Sequence, residues 1–285
     1  MEKENKKKFS SYFKPLLFES VLFFLTLGLG ISATFKIRKI FEKEQVALQE
    51  PSLWKVLVNF GIITLLIVGL SYFKKLQKSR KVVFKGTFIV AVFWGSLFLL
   101  SFYLPLIPML VLIGGLILLW LFKPKVWLHN LLIMLGLAGA GAAIGISFSP
   151  ISIVVLLLIF SVYDVIAVYK TKHMVKMAKE MVAANSIIGF IIPQKLKGFK
   201  ENLKNVNPGG KFMIIGGGDI VFPLVFCASL TSVGIKETLI VLVFSYLGLL
   251  LSYYTFVSQK ISRAIPALPP IALLSILGYL LTFLL

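Results

Sequence analysis

The sequence is poor in the side chains that enzyme chemistry most often uses. Its 285 residues include one cysteine, two histidines and, among eleven acids, only two aspartates. The cysteine, Cys227, has no partner for an intrachain disulfide and lies in an apolar run, where it reads as a small core residue. His129 and His173 stand near the ends of apolar runs and read as interfacial; two scattered histidines do not make a metal site. No Ser/His arrangement supports a serine nucleophile. There is no internal repeat, no soluble linker and no basic, aromatic-rich soluble segment. The net charge of +19 therefore does not point to nucleic acid.

Apolar residues are what the chain has in excess. They make up 58% of it, and mean hydropathy is +0.95. Soluble domains sit near ~45–50% apolar, and several runs here approach the ~20 residues that cross a bilayer as a helix. This is the composition of an integral membrane protein. The first run follows MEKENKKKF and lacks a small-residue cleavage site, so it reads as a retained span. Nine spans are predicted, over about 15–35, 56–73, 86–105, 107–122, 126–147, 151–170, 212–231, 237–259 and 264–285. Pro105 and Pro108, Lys123-Pro124-Lys125 and Ser149-Pro150 supply breaks. A strand barrel would show alternating ~10-residue segments instead. The expected class is an all-α membrane protein, a polytopic bundle of about nine transmembrane helices. We expect one membrane-embedded domain over 1–285, with five scaffold spans in 1–150 and spans six to nine in 151–285.

The basic residues are unevenly placed. On the nine-span scheme 24 Lys and Arg fall on the side of the N-terminus and 6 on the other. That segregation predicts a cytoplasmic N-terminus and an outside C-terminus.

The two aspartates both fall in or at the edge of spans. Asp164, in FSVYDVIAVYK, is six residues before Lys170, roughly 9 Å along a helix. Asp219, in KFMIIGGGDIVFP, is eight residues after Lys211. They therefore occupy similar depths on consecutive spans, and no Lys or Arg sits at that depth to neutralise them. Intramembrane acids are costly and face the bundle interior, so each is the other's expected partner. Two close carboxyls in a low-dielectric site share a proton. The ionised one can then take a proton from water while the other donates to a carbonyl oxygen. Structural roles compete: a helix N-cap for Asp219, an interhelical hydrogen bond or ion pathway for Asp164. Matched as a pair, they favour catalysis.

Neighbouring residues fit. Gly216, Gly217 and Gly218 admit a close backbone and unusual dihedrals, and Pro223 has no N–H for the Asp219 carbonyl. Between the acids, KTKHMVKMAKEMVAAN spaces Met174, Met177, Ala178 and Met181 as an amphipathic surface helix. SIIGFIIPQ and KFMII are short β-branched runs, suited to pairing with an extended peptide. Glu19 is four residues into the first predicted span, shallow enough to reach the interface.

Tyr163-Asp164 in the sixth span, Gly216-Gly217-Gly218-Asp219 opening the seventh and Pro266-Ala267-Leu268 opening the ninth match YD, GxGD and PAL motifs. In that order the chain resembles the presenilin and signal peptide peptidase family of intramembrane aspartyl proteases, specifically over 151–285. YDVIAVYK and PALPPI look closer to the presenilin branch, and an archaeal presenilin homologue is the best fit. The resemblance implies an aspartic endopeptidase that cuts within or near the transmembrane helices of single-span membrane proteins. Asp164 and Asp219 would be catalytic. Tyr163, Gly216, Gly217 and Gly218 would border the substrate, and Pro266, Ala267 and Leu268 would contact its backbone. No metal or organic cofactor is implied. The location would be a cell membrane, a prokaryotic plasma membrane by that analogy. Presenilin needs partner subunits whereas small homologues act alone, so accessory subunits are not required and a homo-oligomer stays open. The competing class is a proton- or cation-coupled transporter using the two aspartates as a relay. Its usual repeated halves are missing here.

Overall fold

In the computed structural model, residues 2–45, 50–59, 61–62, 77–207, 210–259 and 263–284 are described. Helix α1 runs Glu2–Glu44. A helical stretch over 53–59 and 61–62 follows. Next come α2 (Gln77–Leu100), α3 (Leu106–Phe122), α4 (Val126–Ser147) and α5 (Pro150–Val165). A π-helical turn, Ile166–Lys170, extends α5. The connection carries α6 (His173–Ala183), β1 (Gly189–Pro193), two 3₁₀ turns and β2 (Phe212–Gly216). Helices α7 (Gly217–Leu230), α8 (Ile235–Val257) and α9 (Leu268–Leu281) complete the described elements.

The expected class holds in outline and is corrected in one respect: the bundle includes an antiparallel β1–β2 hairpin. Among the described residues five helical stretches are long and apolar enough to cross a membrane: Phe13–Glu44, Lys81–Leu100, Val126–Ser147, Pro150–Lys170 and Ile235–Val257. Helices α3, α7 and α9 are apolar but shorter. Most of the predicted second span lies outside the described residues. The first span was predicted too short, because lysine and glutamate are good helix formers and carry the helix through its charged flanks. The seventh and ninth were predicted too long. Residues 212–216 form strand, and residues 263–267 are irregular before α9 begins.

Small residues place α4 at the centre. A Cβ on Gly139 would sit 1.8 Å from the Gly95 carbonyl oxygen of α2. On its other side a Cβ on Gly145 would meet Val225 O at 2.6 Å and Ala228 Cβ at 2.4 Å on α7. Backbones approach this closely in membranes because packing, not water exclusion, holds helices together. Near the start of α4, Phe88 stacks on both Trp120 (4.5 Å) and His129 (5.1 Å). His129 is fully buried, not interfacial as the sequence suggested.

Amphipathic α6 forms as predicted, with Met181 and Val182 packed on the core, but Met174 is exposed. The start of α5 is capped by Ser149, which accepts from Ser152 N–H at 3.3 Å. Glu50 reinforces it by accepting from Ser149 N–H (3.1 Å), Ser149 Oγ (3.0 Å) and Ser152 Oγ. The Ser152 hydroxyl first, and the Ser149 N–H second, hold the Glu50 carboxyl below the usual carboxylate range. A depressed carboxylate stabilises above its unfolded-state pKa, and that contribution is lost as pH falls through the folded value. Glu50→Gln should therefore lower the melting temperature slightly at pH 7, solvent screening keeping the drop small. The gap from wild type should close on acidification, as followed by thermal melts in detergent.

Candidate active site

Asp164 is on the inner face of α5, 7% exposed. Two residues later the helix loosens into its π turn, a geometry that recurs at functional sites. Asp219 is the third residue of α7, half-buried, and is not the N-cap that one reading allowed; Gly216 is. Its Oδ2 lies against Gly216, where a Cβ would stand 3.1 Å away. Asp164 and Asp219 are thus carried by helices that pack on one another, α5 and α7. Phe160 and Phe222 pack with ring centroids 5.0 Å apart, joining α5 to α7 just beyond the acids.

The start of α9 completes the cluster. Leu268 N–H donates to Asp164 Oδ2 at 3.2 Å. The first N–H groups of a helix have no partner within it and carry partial positive charge, so a carboxylate suits them. Ala267, the N-cap, is held from behind: Ser252 Oγ on α8 lies 3.0 Å from both Ala267 O and Gly248 O. A Cβ on Gly248 would meet Ile271 Cα at 2.5 Å, so α8 and α9 touch backbone to backbone there. Pro266 and Ala267 are half-buried and Leu268 is buried.

The other predicted residues take more specific positions than expected. Tyr163 turns toward the α5–α6 corner, its hydroxyl 2.8 Å from His173 Nε2. His173 Nδ1 in turn meets Thr171 Oγ1 at 2.6 Å. Gly217 is the glycine of close approach: its N–H donates to Ile188 O at 3.0 Å, and a Cβ would crowd that oxygen at 3.2 Å. None of Gly216, Gly217 and Gly218 needs a positive φ, so the expectation of unusual dihedrals is not met. Pro223 lies inside α7 and leaves the Asp219 carbonyl without its helical donor.

The hairpin leads directly into Asp219, and its two edges differ. Gly217 N–H donates to Ile188 O and Gln194 N–H to Lys211 O. Bonded and non-bonded rungs alternate along an antiparallel pair, so Gly189, Ile191 and Pro193 on β1 and Phe212 and Ile214 on β2 point outward. On β1, Asn130 Nδ2 donates to Ile191 O (2.8 Å) and Ile191 N–H donates to Asn130 Oδ1 (2.9 Å). His129 Nε2 lies 3.2 Å from Gly189 O, and Pro193 has no N–H. On β2 the backbone of Ile214 has no hydrogen-bond partner among the described residues.

A family model described as signal-peptide peptidase, presenilin aspartyl protease matches residues 22–285. The chain belongs to that family. It is also similar to two solved structures of a presenilin family intramembrane aspartate protease. The one in space group C222 is 21% identical, with 94% of this chain and 96% of that chain covered and a TM-score of 0.60. The one in space group P2 is 23% identical, with 93% and 95% covered and a TM-score of 0.57. At such identity the likeness shows the fold. No curated protein matches the chain.

The sequence reading missed Ser252, Asn130 and the depth of Glu19. Glu19 is 3% exposed, and its Oε2 has no hydrogen-bond partner among the described residues. It shares a helical face with Phe23, Thr26, Leu27 and Gly30, all buried, and that periodicity was the available signal. If Ser252 steadies the backbone that holds Asp164, Ser252→Ala should lower family-type proteolytic turnover about fivefold. That is the equivalent of one neutral hydrogen bond of ~1 kcal/mol. Turnover of a peptide substrate by purified protein, with a thermal melt as the folding control, checks it.

Proposed function

We propose that this chain is an intramembrane aspartyl endopeptidase whose catalytic pair is Asp164 and Asp219. The observation that carries this is that the sequence's only two aspartates are borne by packed helices, α5 and α7, with the Leu268 N–H on one of them. One carboxyl is ionised and its neighbour protonated. Water oxygen adds to the scissile carbonyl carbon as its proton passes to the carboxylate, while the other carboxyl gives its proton to the carbonyl oxygen. Return of a proton to the amide nitrogen then lets the C–N bond break. Family and fold lend the transporter alternative no support.

The hairpin supports a substrate that is cut as an extended segment. A transmembrane helix hides its peptide bonds in internal hydrogen bonds, so it must be drawn out before it is cut. The open edge of β2 can pair with an extended segment by main-chain hydrogen bonds, and β2 ends three residues before Asp219. Single-span membrane proteins are the substrates this suits. We take the whole chain, 1–285, as one such protease domain of about nine spans in a prokaryotic plasma membrane. It needs no metal, cofactor or accessory subunit.

Asp164→Asn and Asp219→Asn are near-isosteric and leave an amide, which costs less to bury than a charge. Each should abolish cleavage of a single-span peptide while thermal stability holds or rises. Near wild-type cutting by the folded Asp164→Asn protein, with contaminating proteases excluded, would end the two-aspartate mechanism. The charge asymmetry adds an orientation, N-terminus in the cytoplasm and C-terminus outside. Cysteines placed in residues 2–10 should be shielded from impermeant label in intact cells, and labelling there from outside would reverse the assignment.

A further inference from the structure

The bonds that Asn130 makes to Ile191 are the pair a third strand would make. Asn130 is 2% exposed and projects from α4, the helix locked between α2 and α7 by glycine contacts. Other ties join the same end of α4 to the segment between the strands: Val126 N–H donates to Glu201 O (3.0 Å) and Leu203 N–H to Pro124 O (2.8 Å). A side chain thus occupies the β1 edge where a peptide could otherwise add.

We propose that Asn130 is a positioning residue that fixes where the substrate is cut. By filling the edge of β1 it leaves β2 as the strand an extended substrate joins. By clamping Ile191 it fixes the hairpin's height beside Asp219. Strand residues are spaced by ~3.3 Å and alternate faces, so a one-residue slip would present the wrong peptide bond and turn each side chain over. Asn130 touches neither aspartate in this arrangement; it acts through Ile191 and the β1–β2 ladder. The proposal rests on the protease reading above.

The test compares wild type with Asn130→Leu, close in volume but unable to bond Ile191. Each is incubated with one single-span peptide in detergent, and products are identified by mass spectrometry. Wild type should give a dominant cut. In the variant the share of that cut should fall about threefold or more in favour of positions one or two residues away, part of the loss of two hydrogen bonds being recovered by repacking of the hairpin. KM should rise, while affinity for a small hydroxyl-bearing mimic of the tetrahedral intermediate stays unchanged. A folded variant with the wild-type product distribution overturns the proposal.

Hydrogen exchange gives a second arm that does not depend on that variant folding. Binding of the same peptide to Asp219→Asn protein should slow exchange of the Ile214 amide and leave the Ile191 amide as it was. Protection gained at Ile191, or none at Ile214, overturns the edge assignment. Failure of wild type to cut any peptide would instead remove the protease reading, and the exchange arm would still decide which edge is open.

Discussion

The hydrogen bond from Leu268 N–H to the Asp164 carboxylate organises the site around it. A carboxyl inside a membrane bundle is tolerated only with donors or with a second carboxyl to share its proton. Here one donor comes from the unsatisfied first turn of a helix, and such a turn must begin beside the acid to be useful. That requirement accounts for the late start of α9 after an irregular stretch. It also fits the grip of α8 on both sides of that turn, Ser252 on the Ala267 carbonyl before it and Gly248 against Pro270 and Ile271 after it.

Asp219 obeys the same logic from the other direction. Its helix also starts late, because the five residues before Gly217 are spent on β2. Both short helices, at 14 residues or about 21 Å, open beside the acids, where polar backbone is exposed to one another's side chains instead of to lipid. Irregular backbone at such depth persists only where protein or a water-lined cavity satisfies it. The hairpin, Asn130 and the Leu268 turn provide that satisfaction together.

Much of this was legible in the chain itself. The scarcity of aspartate singled out Asp164 and Asp219, and proline and charge placed the ends of α3 and α4 within a residue. The β-branched runs SIIGFIIPQ and KFMII marked where the strands lie, but the span scheme counted 212–216 as helix and the expected class was all-α. The misses share a cause. Glu19, Asn130 and His129 look like polar residues near span ends, and local sequence does not reveal which face of a helix meets protein and which meets lipid. The link from the Tyr163 hydroxyl to His173 was equally hidden, because it forms only when α6 folds back at the π turn. The length of α1 was hidden because a hydropathy window ends where charge begins, whereas a helix does not.

The two acids ride on helices of unequal firmness. From Pro223 to Leu230, α7 is buried without interruption. Helix α5 lies at the rim, packed mainly on α7 and α9, with Ile151, Val155, Leu158, Ile159 and Val162 turned outward. One half of the pair is therefore set in the keel of the molecule and the other is hung on its side. A displacement of that outer helix would carry Asp164 with it and leave Asp219 where the core holds its helix.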